Sequence, residues 1–255
     1  MHKLIPHIFL TLVLGYLANS RLKIIKTILI KGFIALYKPN LNEARHSDRR
    51  KYRSYNEFFT RKLKDGSRVV DDSDKAFISP VDGEIVDHGF IEEGELIQAK
   101  KFKYALEDLV GDSYKSLYDE GYFITIYLAP TDYHRIHCPF DGTIIDSQHL
   151  GTSLFSVNKK AQESIPNLYI KNERSVLQID SDGFNFYLVS VGASVVGSIV
   201  PFWSVDDNAS RSQLINEWKR GPSDKRQVKK GDELAHFKMG STIILLFEDS
   251  SKLDL

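Results

Sequence analysis

The apolar positions of this chain change period partway along it. Leu4 to Ala18 is a nearly unbroken apolar run, interrupted by Pro6, His7 and Gly15. Arg21 to Lys38 sets Ile24, Ile25, Ile28, Leu29, Phe33 and Leu36 at helical spacing among cations, the pattern of an amphipathic helix. Pro39 to Lys51 is polar and reads as a linker. Tyr55–Leu63 predicts a short amphipathic helix, and Asp71, Asp72 and Asp74 a solvated turn. From Ala76 the period becomes that of strands. Tyr122–Leu128, Phe184–Val200 and Thr242–Phe247 are rich in β-branched and aromatic residues, which suit a pleated surface. Tyr104–Val110 and Gln213–Trp218 predict short helices.

Ser79-Pro80-Val81-Asp82-Gly83-Glu84-Ile85 is echoed by Cys138-Pro139-Phe140-Asp141-Gly142-Thr143-Ile144. Each reads as a turn feeding a strand, with Pro fixing φ and Asp-Gly closing the turn. Two copies suggest a pseudo-repeat like that of lipoyl and biotinyl carrier modules, although neither carrier attachment motif is present. The predicted fold class is α+β, mainly β: a barrel-sandwich-like antiparallel body with peripheral helices and an N-terminal membrane-binding helical segment.

Charge sharpens the division. Lys plus Arg and Asp plus Glu each number 34, for a net charge of zero, which argues against a general nucleic-acid binder. The six basic residues of 1–42 (Lys3, Arg21, Lys23, Lys26, Lys31 and Lys38) face no acid, since Glu43 is the first. The head carries +6 and the body, 43–255, carries −6. At ~1.5 Å per helical residue the run from Leu4 to Ala18 reaches only about 22 Å, short of a ~30 Å hydrocarbon core. A basic, apolar head of this kind suits a helix lying in a lipid interface. A secretory signal ending near Ala18-Asn19-Ser20 and a helix merely covering the body are competing readings. Cys138 is the single cysteine, so no intrachain disulfide forms.

Two segments can carry chemistry. Tyr133-His134-Arg135-Ile136-His137 follows a strand and a turn, and its histidines suit acid–base work or structural hydrogen bonding. No third ligand at metal spacing accompanies them. Phe237-Lys238-Met239-Gly240-Ser241-Thr242 precedes the last strand and lacks the Gly-x-Ser-x-Gly elbow of a hydrolase.

Seven motifs in order over residues 40–248 resemble the phosphatidylserine decarboxylase family. They are Tyr55-Asn56-Glu57-Phe58-Phe59 with Arg61; Pro80-Val81-Asp82-Gly83; Tyr133 to His137 with Pro139; Leu154-Phe155-Ser156-Val157-Asn158; Pro166-Asn167-Leu168 with Asn172-Glu173-Arg174; Val191-Gly192-Ala193 with Val196-Gly197-Ser198-Ile199; and Phe237 to Thr242. Met239 stands where the family commonly has Leu, a volume-conserving change.

The resemblance implies a chain that makes its own cofactor. Asp82, His137 and Ser241 match a self-processing triad: Asp82 orients His137, His137 takes the Ser241 proton, and the oxygen attacks the Gly240 carbonyl. Cleavage between Gly240 and Ser241 would leave a β chain (1–240) and an α chain (241–255) headed by a pyruvoyl group from Ser241, with no metal and no pyridoxal phosphate. That group would serve as the electron sink for converting phosphatidylserine to phosphatidylethanolamine. His134 would position the substrate carboxylate or supply a proton, and Phe155 would line the lipid pocket or pack in the core. The implied partners are a phospholipid substrate, an anionic membrane surface and the chain's own processed halves, with a homodimer left open and nucleic acid excluded. The implied location is the cytoplasmic face of the cell membrane, held peripherally. A membrane-tethered carrier module and a Ser-His-Asp lipid hydrolase are the alternatives.

Overall fold

A computed structural model describes residues 14–99, 101–111, 121–193, 198–206, 209–224, 226–238 and 241–252. The fold is α+β, mostly antiparallel sheet with few helices. Its largest sheet has the order β1-β4-β12-β8-β7-β6-β10. The strands are β1 (Glu84–Phe90), β4 (Tyr122–Leu128), β6 (Gly142–Leu150), β7 (Arg174–Ser181), β8 (Phe184–Gly192), β10 (Arg226–Val228) and β12 (Ser241–Phe247). A three-stranded sheet orders β5 (Arg135–His137), β11 (Glu233–Phe237) and β9 (Ile199–Pro201) as β5-β11-β9, and β2 (Glu95–Gln98) pairs with β3 (Phe102–Ala105).

β12 is buried on both faces, which explains its unbroken apolar sequence. Ile243, Leu245 and Phe247 enter one core with Ile136, Leu234 and Phe237 of the three-stranded sheet and the adjoining Cys138. Ile244 and Leu246 enter the other with Leu96 and Tyr104 of the β2–β3 hairpin. Helix α3 (Leu106–Val110) and helix α5 (Leu168–Lys171) complete that second core, beyond helix α4 (Lys159–Ser164). Helix α6 (Arg211–Arg220) covers the first through Trp218, starting from a capping box between Ser210 and Gln213. The β7–β8 turn places Asp182 and Gly183 at φ 52° and 84°, as a two-residue Asp-Gly hairpin requires.

The repeated Pro-x-Asp-Gly segments are a structural pair. Gly83 and Gly142 each open a strand so close to its neighbour that a Cβ would lie 2.6 Å from Tyr127 O and 2.7 Å from Asp180 O respectively. Both strands then bulge at the same offset, between Ile85 and Asp87 and between Ile144 and Asp146. The segments also bond each other, Ile78 N to Pro139 O at 3.0 Å and His137 N to Pro80 O at 2.8 Å. The repeat does not close a barrel, however. β1 and β10 end the large sheet on opposite sides, and no ladder among the described residues joins them.

Two helices differ from the sequence reading. The helix expected over 55–63 is α2 (Tyr55–Phe59). Thr60 Oγ1 donates to Asn56 O, and residues 62–64 are drawn into extended pairing with 43–45 through Arg45 N to Lys62 O and Lys64 N to Glu43 O. The helix expected over 104–110 starts at Leu106, because Tyr104 pairs with Leu96 in the hairpin.

The second part of the head is helix α1 (Lys23–Tyr37). Ile30 and Phe33 pack on Tyr55, Phe58 and Phe59, while Ile24, Ile28 and Leu36 stay exposed. The head therefore has one apolar face toward the body and another toward solvent. Of the first run, residues 14–19 are helical and 1–13 lie outside the described residues. No helix among the described residues is long and apolar enough to cross a membrane.

Candidate active site

Ser241 heads β12, between Leu128 at the end of β4 and Gly192 at the end of β8. Strand alternation gives its side chain the face of Ile243 and Leu245, the face covered by the three-stranded sheet. It is fully buried and its Oγ has no hydrogen-bond partner among the described residues.

The histidines arise from the turn that leaves β4. Asp132 locks that turn, accepting from Ala129 N at 2.7 Å and donating its own N–H to Ala129 O at 2.9 Å. The chain then alternates: His134, Ile136 and Cys138 are buried, while Tyr133, Arg135 and His137 are half-buried. The odd spacing of the two histidines thus puts them on opposite faces of the β5 segment. His134 faces inward with Ile136, which packs in the core that Ile243 and Leu245 enter from the Ser241 strand. Its Nδ1 lies 2.8 Å from Asp132 O, so Nδ1 carries the hydrogen and Nε2 is the lone-pair nitrogen. Nε2 is buried without a partner among the described residues, and the ring centre lies 4.2 Å from that of Phe59. Burial pushes the His134 pKa down to about 4.

His137 faces outward into a cleft of about 510 Å³ that Asp82 also lines. Its Nδ1 lies 2.7 Å from Gly231 O and its Nε2 3.0 Å from the Tyr133 hydroxyl. Asp82 is held by Arg68, at 3.0 Å from Nε and 2.5 Å from Nη2. The structure thus brings Asp82 and His137 into one cleft without a hydrogen bond between them, and places neither on Ser241. Gly240 and Met239 lie outside the described residues. Tyr133 was legible as a partner, because an i, i+4 pair shares a strand face. Arg68 has no motif around it.

Phe155 packs against the second core. Its backbone is clasped by Asn172, which accepts from Phe155 N at 2.8 Å and donates to Phe155 O and Gly192 O at 2.9 Å each. Asn172 therefore ties the Phe155 loop to the residue that registers with Ser241. Asn172→Ala deletes three hydrogen bonds of a buried side chain and should lower stability by roughly 2–4 kcal/mol; an unchanged urea midpoint would show that the brace is idle.

Burial also pushes His149 to about 4 and His236 to about 3. With His134, three histidines stay neutral in the folded chain while titrating near 6.5 when unfolded. Below pH 6.5 the unfolded chain binds protons that the folded chain refuses, so stability falls as pH drops toward about 4, by up to ~1.4 kcal/mol per pH unit per histidine. Melting curves between pH 7 and 4.5 should show this slope, and His149→Gln should flatten it. A slope unchanged in that variant would remove His149 from the account.

Among the described residues no three His, Cys, Asp or Glu side chains converge where a metal could sit. Fold and site together define an α+β protein whose candidate reactive groups are its own serine and histidines. A family model described as phosphatidylserine decarboxylase matches residues 55–255, and one described as PSD matches 1–38. The chain is 41% identical to a phosphatidylserine decarboxylase proenzyme of Pseudoalteromonas translucida, covering 98% of this chain and 88% of that one. It is 40% identical to one of Dechloromonas aromatica, covering 96% and 86%, and 38% identical to one of Vibrio parahaemolyticus, covering 98% and 90%. The chain belongs to the phosphatidylserine decarboxylase family of enzymes.

Proposed function

We propose that the chain cuts itself between Gly240 and Ser241 and then decarboxylates phosphatidylserine to phosphatidylethanolamine. The carrying observation is the position of Ser241, a buried hydroxyl without a partner at the very start of the central strand. Cleavage there would leave 241–255 in place, because β12 is laddered to β4 and β8 along its whole length. Burying Ile243, Ile244, Leu245, Leu246 and Phe247 supplies about 1.5–3 kcal/mol each toward holding it.

In maturation His137 takes the Ser241 hydroxyl proton, and Asp82 exchanges Arg68 for His137 to steady the imidazolium. His137 is hydrogen-bonded to Tyr133 and Gly231 in the structure, so its contact with Ser241 has to form during maturation. A pyruvoyl residue fits the place of Ser241, which is small, buried and edged by Gly192, and it supplies the electron sink for loss of CO₂. His134 then works on the substrate. A neutral ring whose unpartnered nitrogen is a lone pair suits a proton acceptor better than a carboxylate clamp. Its Nε2 takes a proton from the substrate ammonium and returns it to the carbon that has lost CO₂.

Residues 1–42 serve as the membrane-associating segment and 43–255 as the catalytic body. The exposed Ile24, Ile28 and Leu36 enter the lipid interface while the +6 charge of the head attracts anionic lipid, holding the enzyme peripherally on the cytoplasmic face. The test is the mass of the purified chain under denaturing conditions, with CO₂ release from phosphatidylserine vesicles. Two fragments split after Gly240, the smaller without a free amino terminus, are expected. An intact chain that releases no CO₂ would overturn the reading.

A further inference from the structure

A second cavity, of about 260 Å³, lies where the head meets the body. Its cationic lining includes Arg21, Arg45, Arg61, Lys62, Arg135 and Lys238. The acids nearby are already engaged. Glu57 holds Arg53 at 3.1 Å, and Glu233 pairs with Arg135 and lies 3.9 Å from Lys62.

Arg61 is the unusual member. It is only 4% exposed. Its Nη2 donates to Thr131 O at 3.0 Å, and its guanidinium carbon lies 5.8 Å from the Phe58 ring centre. Nε and Nη1 are buried without a hydrogen-bond partner among the described residues, and no described carboxylate lies within ion-pairing distance of it. A guanidinium always carries its charge and offers a planar fork of donors. Leaving two of its nitrogens dry costs far more than leaving an aliphatic side chain there. The fork matches a phosphate oxygen pair.

We propose that this cavity binds the phosphodiester of the lipid headgroup, with Arg61 as the anchor and Arg45 at the rim. This deepens the decarboxylase reading and rests on it for the choice of lipid. The placement supports it. Arg61 follows Phe59, whose ring touches His134, and its Nη2 binds the turn that carries His134. Lys238 lies three residues before Ser241. In phosphatidylserine only an –O–CH₂– link separates phosphorus from the carbon that loses CO₂. A phosphate seated here would leave the serine end to reach toward His134, and Asn19 and Arg21 of the head line the same cavity.

The test uses the full chain with two variants, Arg61→Gln and Arg45→Glu, and Lys103→Gln on the exposed β2–β3 pair as control. Self-cleavage is checked first by mass. Kinetics on phosphatidylserine in phosphatidylcholine vesicles should then give Arg61→Gln a KM raised about tenfold or more with kcat nearly kept, Arg45→Glu a smaller rise of about threefold, and the control no change. Binding is read separately from turnover, as the melting shift caused by glycerophosphoserine and by inorganic phosphate. Glycerophosphoserine should stabilise the wild type and lose its effect in Arg61→Gln. A folded, cleaved Arg61→Gln with unchanged KM and unchanged shift overturns the proposal. If Arg61→Gln does not fold, an Arg45→Glu with unchanged KM overturns it instead. Equal shifts from inorganic phosphate would make this a free-phosphate site and overturn the headgroup assignment. An Arg61-dependent glycerophosphoserine shift in a wild type that neither cleaves nor decarboxylates would uphold the cavity while the decarboxylase reading falls.

Discussion

Ser241→Ala is expected to remain a single chain of 255 residues and to lose decarboxylation by at least about 10⁴-fold. The same variant should fold at least as well as an uncut chain that keeps the hydroxyl, such as His137→Gln. The Ser241 hydroxyl is fully buried and has no hydrogen-bond partner among the described residues. Removing an unsatisfied polar group from such a place is neutral or stabilising. Loss of activity with an unchanged or higher melting temperature separates chemistry from stability, which most active-site deletions do not. The strand itself loses nothing, since the β12 ladders are made by backbone atoms. Normal cleavage in Ser241→Ala would move the processing bond elsewhere. A marked drop in melting temperature would show that the hydroxyl has a structural partner.

Much of this arrangement is legible in the residues. Tyr122–Leu128 is a strand over the range its composition predicts, and the last strand differs from its expected range by Ser241 alone. Local pattern suffices there, because a central strand must be apolar on both faces. The Pro-x-Asp-Gly echo is legible too, since the tight turn and bulge depend on nearby residues. What is not legible is set by distant partners. The run from Phe184 to Val200 breaks at Gly192, whose N–H is taken by Glu173 O and whose carbonyl is taken by Asn172. α2 stops at Phe59 because residues 62–64 pair with 43–45. The Arg68 hold on Asp82 joins residues 14 positions apart. The cationic cavity gathers residues from 19 to 238. Sheet order decides which of two histidines meets the core, and a one-residue change of register would exchange them.

That last point leads to the second large effect. His134→Gln is expected to cleave normally and to lose kcat by about 10²–10⁴-fold, the usual contribution of a positioned proton carrier. His137→Gln is expected to do the reverse, accumulating uncut chain. The assignment rests on the faces of β5: His134 is sealed inside and alternates with Ile136, which packs with Ile243 and Leu245 of the Ser241 strand, whereas His137 shares the outer cleft with Asp82. Glutamine keeps a donor for Asp132 O and much of the contact with Phe59, so the change tests proton transfer more than packing. The pH profile adds a readout that packing would not move. With His134 pushed down to about 4 by burial, wild-type kcat should stay level from pH 7.5 to about 5 as far as this residue is concerned. Its acid limb should lie near 4, because a proton on Nε2 leaves no lone pair to accept the substrate proton. A limb centred near 6.5 would place the working histidine in water and exclude His134. Loss of cleavage in His134→Gln would transfer it from turnover to maturation, and the inward face of β5 would then carry the base that activates Ser241.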